Sequence, residues 1–524
     1  MVSKMDQGGR IRRADGLVRQ AGSGGAIRLA GFASSALWLV LVLLAPAPAL
    51  GQSEDVVTPP PPSQPSWIIV PRIDIQQSFT DNALRERPGR ERSDTFTTIR
   101  PGVNIAHQSA RHRFNMDYAL TRVQYARFTE ENEFRHALRQ TSQLELINEA
   151  LFLDLRSAIS QVTVDSGGQV SADEENSSNN QRTVATFAAS PYWRYRLGRW
   201  ANSELRYSFN YVDFITATQQ DSLSHRVTET LSYGSEFTRL LWALTLDGSE
   251  GRFSSSSAQG SRRVSTRLAE LSSEYVINQY VSALASVGYE RIEDRTLDDE
   301  PDGVIWTVGG KLRPGPRSAF SMVYGKRYER DYWSGSASYL IGPTSRIDAE
   351  YTRSLNTTQG LTTENLTFLG LDEFGDLIDR RTAQRLSLSD PSFNVSSNAF
   401  RRDRAQIRGN TQIGRSSFTG LAFQETRRTD ATDEKREVLG ASFNFGRQIW
   451  PMTRISATLR YTHTDYNDAA SREDDVYSGS ISLSHQFGAS LVGSISYTYF
   501  NRDSNDRNSD LRENLVTVGL RKSF

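Results

Sequence analysis

The clearest pattern in the chain is a two-residue alternation of apolar and polar positions, repeated over stretches of about ten residues and punctuated by Gly, Pro, Asn, Asp and Ser. Ser478, Ser480, Ser482 and Ser484 alternate with Tyr477, Gly479, Ile481 and Leu483. Ile495, Tyr497 and Tyr499 likewise interleave with Ser494, Ser496 and Thr498. The same device recurs in Ile455/Ala457/Leu459/Tyr461, Leu439/Ala441/Phe443/Phe445, Leu205/Tyr207/Phe209/Tyr211 and Phe114/Met116/Tyr118/Leu120. Successive strand residues point to opposite faces, so each apolar set forms one side of a sheet.

A soluble sandwich alternates too, and the connections separate the two cases. Short ones (near Arg239, Asn278 to Gln279, Arg313 to Arg317, Gly414 to Arg415, Gly488 to Ala489) interleave with long polar ones (Ser166 to Gln181, Ser254 to Ser261, Asp294 to Asp302, Arg428 to Lys435, Asp503 to Asp510). Outer-membrane barrels have this asymmetry, with short periplasmic turns and long outer loops. The pattern predicts an all-β fold, a transmembrane antiparallel up-and-down β-barrel over residues 67–524. Its strand number is about 22, within roughly 18 to 24, an even count with both ends periplasmic. Alternation is weakest around Ala137 to Ile159 and Gly360 to Arg402. By parity the latter falls outside, and residues 357–402 are expected to form either a long exposed loop or a plug folded into the lumen.

Composition agrees with one lipid-facing and one wet face. Mean hydropathy is -0.52, the hydrophobic share is 37%, yet aromatics reach 10%. Lys+Arg and Asp+Glu stand at 61 each, which gives no overall field for a nucleic acid. Cysteine is absent, which removes disulfides, thiolate metal sites and a lipidated N-terminal cysteine.

The N-terminal stretch has Arg10, Arg12, Arg13, Arg19 and Arg28, an apolar run from Ala30 to Ala45, and the exit Ala47-Pro48-Ala49-Leu50-Gly51. These are the parts of a secretory signal peptide. The expected leader is 1–51, cleaved near Gly51/Gln52, with the true start codon left open by the long basic region. Residues 52–66, with Pro59 to Pro62 and Pro65, read as a Pro-rich periplasmic linker. The expected location is the bacterial outer membrane.

At the far end, Val516, Val518, Leu520 and Phe524 share one face of a last strand that stops on an aromatic. Val518, Leu520 and Phe524 resemble the terminal signal read by the barrel-assembly machinery. Lys522 departs from the apolar residue usual at its position.

The opening Trp67-Ile68-Ile69-Val70-Pro71-Arg72-Ile73-Asp74-Ile75-Gln76-Gln77-Ser78-Phe79-Thr80-Asp81-Asn82 combines an early proline with an aromatic and Thr-Asp-Asn. It resembles the PEP-CTERM system-associated outer-membrane β-barrel proteins, whose gene sets concern exosortase and exopolysaccharide. That resemblance implies a conduit or accessory in exopolysaccharide or envelope export. A general diffusion porin, or a structural or adhesive surface barrel with a closed lumen, are the alternatives. Expected partners are outer-membrane lipid and lipopolysaccharide, the assembly machinery and polysaccharide.

If the apolar faces meet lipid, the lumen-facing candidates are Arg156, Arg194, Arg196, Arg206, Lys311, Arg346 and Arg460, beside Asp117, Asp154, Glu290, Asp348 and Glu350. Opposite charges there are expected to pair across strands, and to select solutes by charge and size. Phe152 and Tyr192 point the same way and offer rings to sugars. Glu229 and Arg122 fall on the lipid register, which suggests bulges nearby.

No enzyme chemistry is expected, and no cofactor or metal. Histidine numbers six. His107-Gln108-Ser109 falls in a periplasmic turn, and His463 and His485 lie toward opposite ends of adjacent strands. The acidic runs Asp173-Glu174-Glu175, Asp298-Asp299-Glu300 with Asp302, and Glu473-Asp474-Asp475 read as solvated outer-loop charge.

Overall fold

The computed structural model describes residues 67–165, 168, 180–215, 220–255, 260–366, 369–371, 377–379, 384–385, 395, 398–467, 471–506 and 508–524. The expected leader, the linker and the Asp173-Glu174-Glu175 run lie outside the described residues.

The alternating segments form a single 22-stranded antiparallel sheet. Its strands are β1 (Trp67–Thr80), β2 (Asp94–Gln108), β3 (His112–Tyr125), β4 (Glu133–Ile147), β5 (Leu151–Thr163), β6 (Gln181–Leu197), β7 (Ala201–Phe214), β8 (Ser222–Tyr233), β9 (Leu240–Phe253), β10 (Arg262–Val276) and β11 (Val281–Glu293). There follow β12 (Asp302–Gly315), β13 (Ser318–Arg327), β14 (Arg330–Gly342), β15 (Ser345–Asn356), β16 (Phe400–Ile413), β17 (Ser416–Thr429), β18 (Glu434–Trp450), β19 (Thr453–Asp465), β20 (Glu473–Gln486), β21 (Leu491–Ser504) and β22 (Leu511–Ser523). Each strand pairs with the next, and β1 closes on β22 with Asp74 opposite Arg521 and Ile75 opposite Leu520. Closure leaves no unpaired edge, which a lipid-embedded sheet requires.

Both ends of the described barrel lie on the side of the short connections, among them 109–111, 148–150, 198–200, 316–317, 343–344, 414–415 and 451–452. Long ones, including 81–93, 164–180, 254–261 and 294–301, join the strands at the opposite end, which faces outward in outer-membrane barrels. Two outer connections are tight. Thr429 still pairs with Glu434, so the stretch from Arg428 to Lys435 is mostly strand and not a long loop. Between β13 and β14, Tyr328 and Glu329 both take positive φ, +53° and +58°, as a two-residue hairpin turn demands. Tyr328 packs with Ile292, Leu297, Leu355 and Ala399, and burial pushes its hydroxyl up to about 12.

The apolar set of each strand lies on the outer surface: Val308, Met322 and Leu459 are 53%, 56% and 58% exposed, while inward Glu425 and Glu513 are 0% exposed. This inversion of a soluble core is what lipid as solvent selects. No described helix is long and apolar enough to cross a membrane.

The stretch of weak alternation at Ala137 to Ile159 is β4, a tight turn and β5, with a register shift between Glu145 and Ile147 that blurs the period. Glu229 and Arg122 need no bulge, because their registers run unbroken and both are outward. Glu229 accepts a hydrogen bond from Ser203 at 2.7 Å. The guanidinium of Arg122 lies over the Phe134 ring at 4.4 Å.

After β15 comes α1 (Thr358–Asn365), N-capped by the Thr357 side chain, which accepts from Gly360 N at 3.1 Å. Leu366 then packs with Ala158, Val162, Val184, Val212 and Phe214. Those positions share the inward face of β5, β6 and β7 with Arg156 and Arg206. The described start of the 357–402 segment therefore lies inside the barrel at its outer mouth. Gln359 Nε2 donates to Gln220 O at 3.1 Å, which ties α1 to the residues just before β8. Three short pieces, Leu369–Leu371, Leu377–Asp379 and Gln384–Arg385, form a separate ladder before β16.

Candidate functional site: the lumen wall

Pairing opposite residues from strand to strand carries one face around the barrel, and that face holds the buried charged residues of the strands. At the closing seam Arg72 donates to Asp117 through two parallel bonds, 2.5 Å and 2.7 Å. Asp74 lies 3.6 Å from Arg72 Nε and also accepts from Arg521. These four residues bind β3, β1 and β22 into one polar seam. Thr80 adds a hydrogen bond to Glu513 at 3.1 Å, and Asn514 donates to both carboxylate oxygens of Asp81 at 2.7 Å and 2.6 Å.

The residues expected in the lumen fall into pairs. Arg206 reaches Asp154 at 3.1 Å and Glu204 at 3.0 Å, and Arg194 reaches Glu204 at 2.9 Å. Lys311 pairs with Glu274 at 3.0 Å, and Arg346 with Asp348 at 2.7 Å. Glu290 accepts from Arg327 at 3.3 Å, and Glu350 from Gln406 at 3.0 Å. Asp117 belongs to the seam. Arg156 lines an internal cavity of about 740 Å³ whose wall includes Arg206, Asp247, Glu290 and the α1 residues Gln359 and Thr363. Arg196 sits opposite Asn202, and Arg460 between Ser442 and Ser478. Among the described residues Arg460 makes no ion pair.

The aromatic expectation needs correction. Phe152 and Tyr192 stack on each other at 5.0 Å, and the guanidinium of Arg206 covers the Tyr192 ring at 3.9 Å. Tyr192 is 2% exposed, so its faces are spent on protein neighbours and not offered to a sugar. Glu473-Asp474-Asp475 opens β20 instead of hanging in an outer loop as expected. Asp474 turns inward and accepts from Arg472, Ser504 and Tyr466, the last at 2.9 Å.

The densest cluster escaped sequence reasoning. Glu425 accepts from Arg402 at 2.9 Å, Arg404 at 2.5 Å and Arg427 at 2.7 Å. Arg404 also lies over the Phe423 ring at 4.3 Å, and Arg427 over Phe400 at 4.8 Å. The signal was present in the i, i+2 pairs Arg402/Arg404 and Glu425/Arg427, which share a face on any strand. It was hidden because the start of β16 lay inside the weakly alternating Gly360 to Arg402 stretch.

The histidines are dispersed apart from His107 and His112, whose rings lie 5.0 Å from each other. His463 pairs with Asp475 at 3.1 Å and His485 with Thr453 at 2.8 Å, at opposite ends of β19 and β20. His107 and Gln108 are the last two residues of β2 and not part of a turn; His107 stacks on Trp67 at 4.3 Å, and His112 shares a bond with Ser142 at 3.1 Å. No metal-holding group of His, Asp and Glu occurs among the described residues. At the other end of the chain, Val518, Leu520 and Phe524 are outward and 52%, 54% and 73% exposed.

Residues 65–201 and 441–524 match the family model described as "Putative beta-barrel porin 2". The two matched blocks meet at the β1/β22 seam. No curated protein matches the chain. Among solved structures, the siderophore receptor PirA from Acinetobacter baumannii is similar at 7% identity and TM-score 0.49, covering 87% of this chain and 80% of that one. The FrpB iron transporter from Neisseria meningitidis (F5-1 variant) is 8% identical at TM-score 0.47, over 88% and 83%. OmpTdeltaL8, an outer membrane protein of Vibrio cholerae, is 9% identical at TM-score 0.32, over 88% and 100%. With its closed sheet and its apolar outer belt, and with both ends of the barrel matched by a porin-type family model, this chain has the fold of an outer-membrane β-barrel.

Proposed function

We propose that the barrel is a conduit for hydroxyl-rich solutes in envelope or exopolysaccharide export, narrowed at its outer mouth by the segment after β15. The observation that carries this reading is α1 with Leu366 seated on the inner wall of β5 to β7, above a polar lumen. Inward Ser478, Ser480, Ser482 and Ser484 on β20 stand opposite Phe500, Thr498, Ser496 and Ser494 on β21, and Ser456 and Ser482 share a bond at 2.6 Å. Such a hydroxyl surface exchanges hydrogen bonds with sugars at little cost, each contact replacing one to water. The polysaccharide link itself rests on the opening strand's resemblance, and the family description supports a pore in the coarser sense.

Planar-bilayer conductance of the refolded chain, intact and lacking residues 360–398, tests the reading. Low or intermittent current that becomes large and steady on deletion supports a segment-gated conduit. Equal, steady current from both favours the diffusion porin. Silence from both, with heat-modifiable migration showing a folded barrel, overturns the conduit and leaves the structural or adhesive role.

A further inference from the structure

Although the chain has as many acids as bases, the two are not shared equally between the faces of the sheet. On the positions that share the face of Arg72, arginine and lysine outnumber aspartate and glutamate. The largest excess is on β16 to β19, where Arg402, Arg404, Arg408, Arg427, Arg436, Arg454 and Arg460 face inward beside Glu425 and Glu434. Three of these guanidinium groups converge on the one carboxylate of Glu425, and Arg436 pairs with Glu434 at 2.6 Å. The strip therefore keeps a net positive charge after all its internal pairs are made.

Low-dielectric walls focus such a field into the pore, so the strip raises the local concentration of anions. Guanidinium groups also match carboxylates geometrically through paired N–H donors. The next two strands, β20 and β21, add the serine and threonine face described above. Cationic strip and hydroxyl wall together suit a ligand with both acid groups and alcohols.

We propose that the lumen selects anions and that its cargo is an acidic saccharide, a sugar chain bearing carboxylates. The inference rests on the conduit reading for transport, and on the inward charge alone for binding. The zero-current potential of the refolded chain across a KCl gradient gives the first test. Chloride preference is expected, reduced severalfold in R402Q/R404Q/R427Q and unchanged in R428Q, whose residue is on the outward face. Potassium preference, or a triple variant that keeps the wild-type ratio while migrating as a folded barrel, overturns the proposal.

Equilibrium binding of trigalacturonate against neutral maltotriose, in detergent, gives the second test and needs no current. At least tenfold tighter binding of trigalacturonate is expected, with the ratio collapsing in the triple variant; equal binding of the two sugars overturns the proposal. If no current flows, the conduit reading falls while this binding ratio still decides the inference.

Discussion

Arg72 on β1 grips Asp117 on β3 across the intervening strand, passing over Gly102 of β2. A Cβ at Gly102 would stand 3.3 Å from Arg72 Cζ and 2.8 Å from Tyr118 O, so the glycine leaves the passage the arginine uses. The pair lies one step from Asp74 and Arg521, where the first and last strands meet. A barrel closes only when its ends find each other, and here the closure carries a charge-assisted lock.

Breaking that lock should destabilise the barrel strongly. The Arg72 and Asp117 side chains are 8% and 10% exposed, and removing one partner of a buried pair costs about 3–5 kcal/mol. D117A should lower the unfolding free energy, read from a urea titration of the heat-modifiable band, by an amount of that order. R72A/D117A should lose less than the two single losses added together; simple additivity would show that the two residues act independently.

Releasing α1 should open the outer mouth without unfolding the wall. Leu366 is 3% exposed within the cluster on β5 to β7. L366D places a charge in that apolar seat, and a segment outside the strand ladder can leave it at small cost to the barrel. Larger and steadier single-channel current is expected, with unchanged heat-modifiability; unchanged current would show that α1 does not narrow the path.

The cluster around Glu425 predicts opposite effects on stability and selectivity. E425A leaves Arg402, Arg404 and Arg427 facing one another without their shared carboxylate. Loss of about 3–5 kcal/mol of stability is expected together with a stronger chloride preference in the folded fraction. Denaturant titration and zero-current potential read the two separately.

Truncating Phe524 should act on assembly and not on the finished barrel. Its ring is 73% exposed, and its backbone N donates to Pro71 O at 2.9 Å, a contact that F524A keeps. Less protein in the outer-membrane fraction is expected in cells, while refolding into detergent proceeds to the wild-type yield. Equal loss in both assays would make the ring a stability element instead.

Much of this architecture is legible from the two-residue period alone. Tyr477 to Ser484 and Gly493 to Tyr499 announce their two faces without any partner, because strand geometry assigns alternate side chains to opposite sides whatever lies beyond them. Connection lengths add the polarity of the barrel, since a tight reversal and a long loop leave different residue types behind. The same logic places Arg194, Arg206 and Asp154 on one face.

What the period could not supply is the pairing between strands distant in sequence and the path of a segment without a period. Asp74 meets Arg521 only because the sheet closes, and Glu425 gathers Arg402 and Arg404 only through the register between β16 and β17. The rings of Phe152 and Tyr192 look free in sequence and are stacked on each other in space. Alternation determined which residues face water and which face lipid; tertiary closure decided which charges neutralise each other, where positive charge remains, and that α1 turns into the lumen. Local sterics act on each strand by itself, whereas electrostatic balance and occupancy of the pore depend on side chains that only the folded wall brings together.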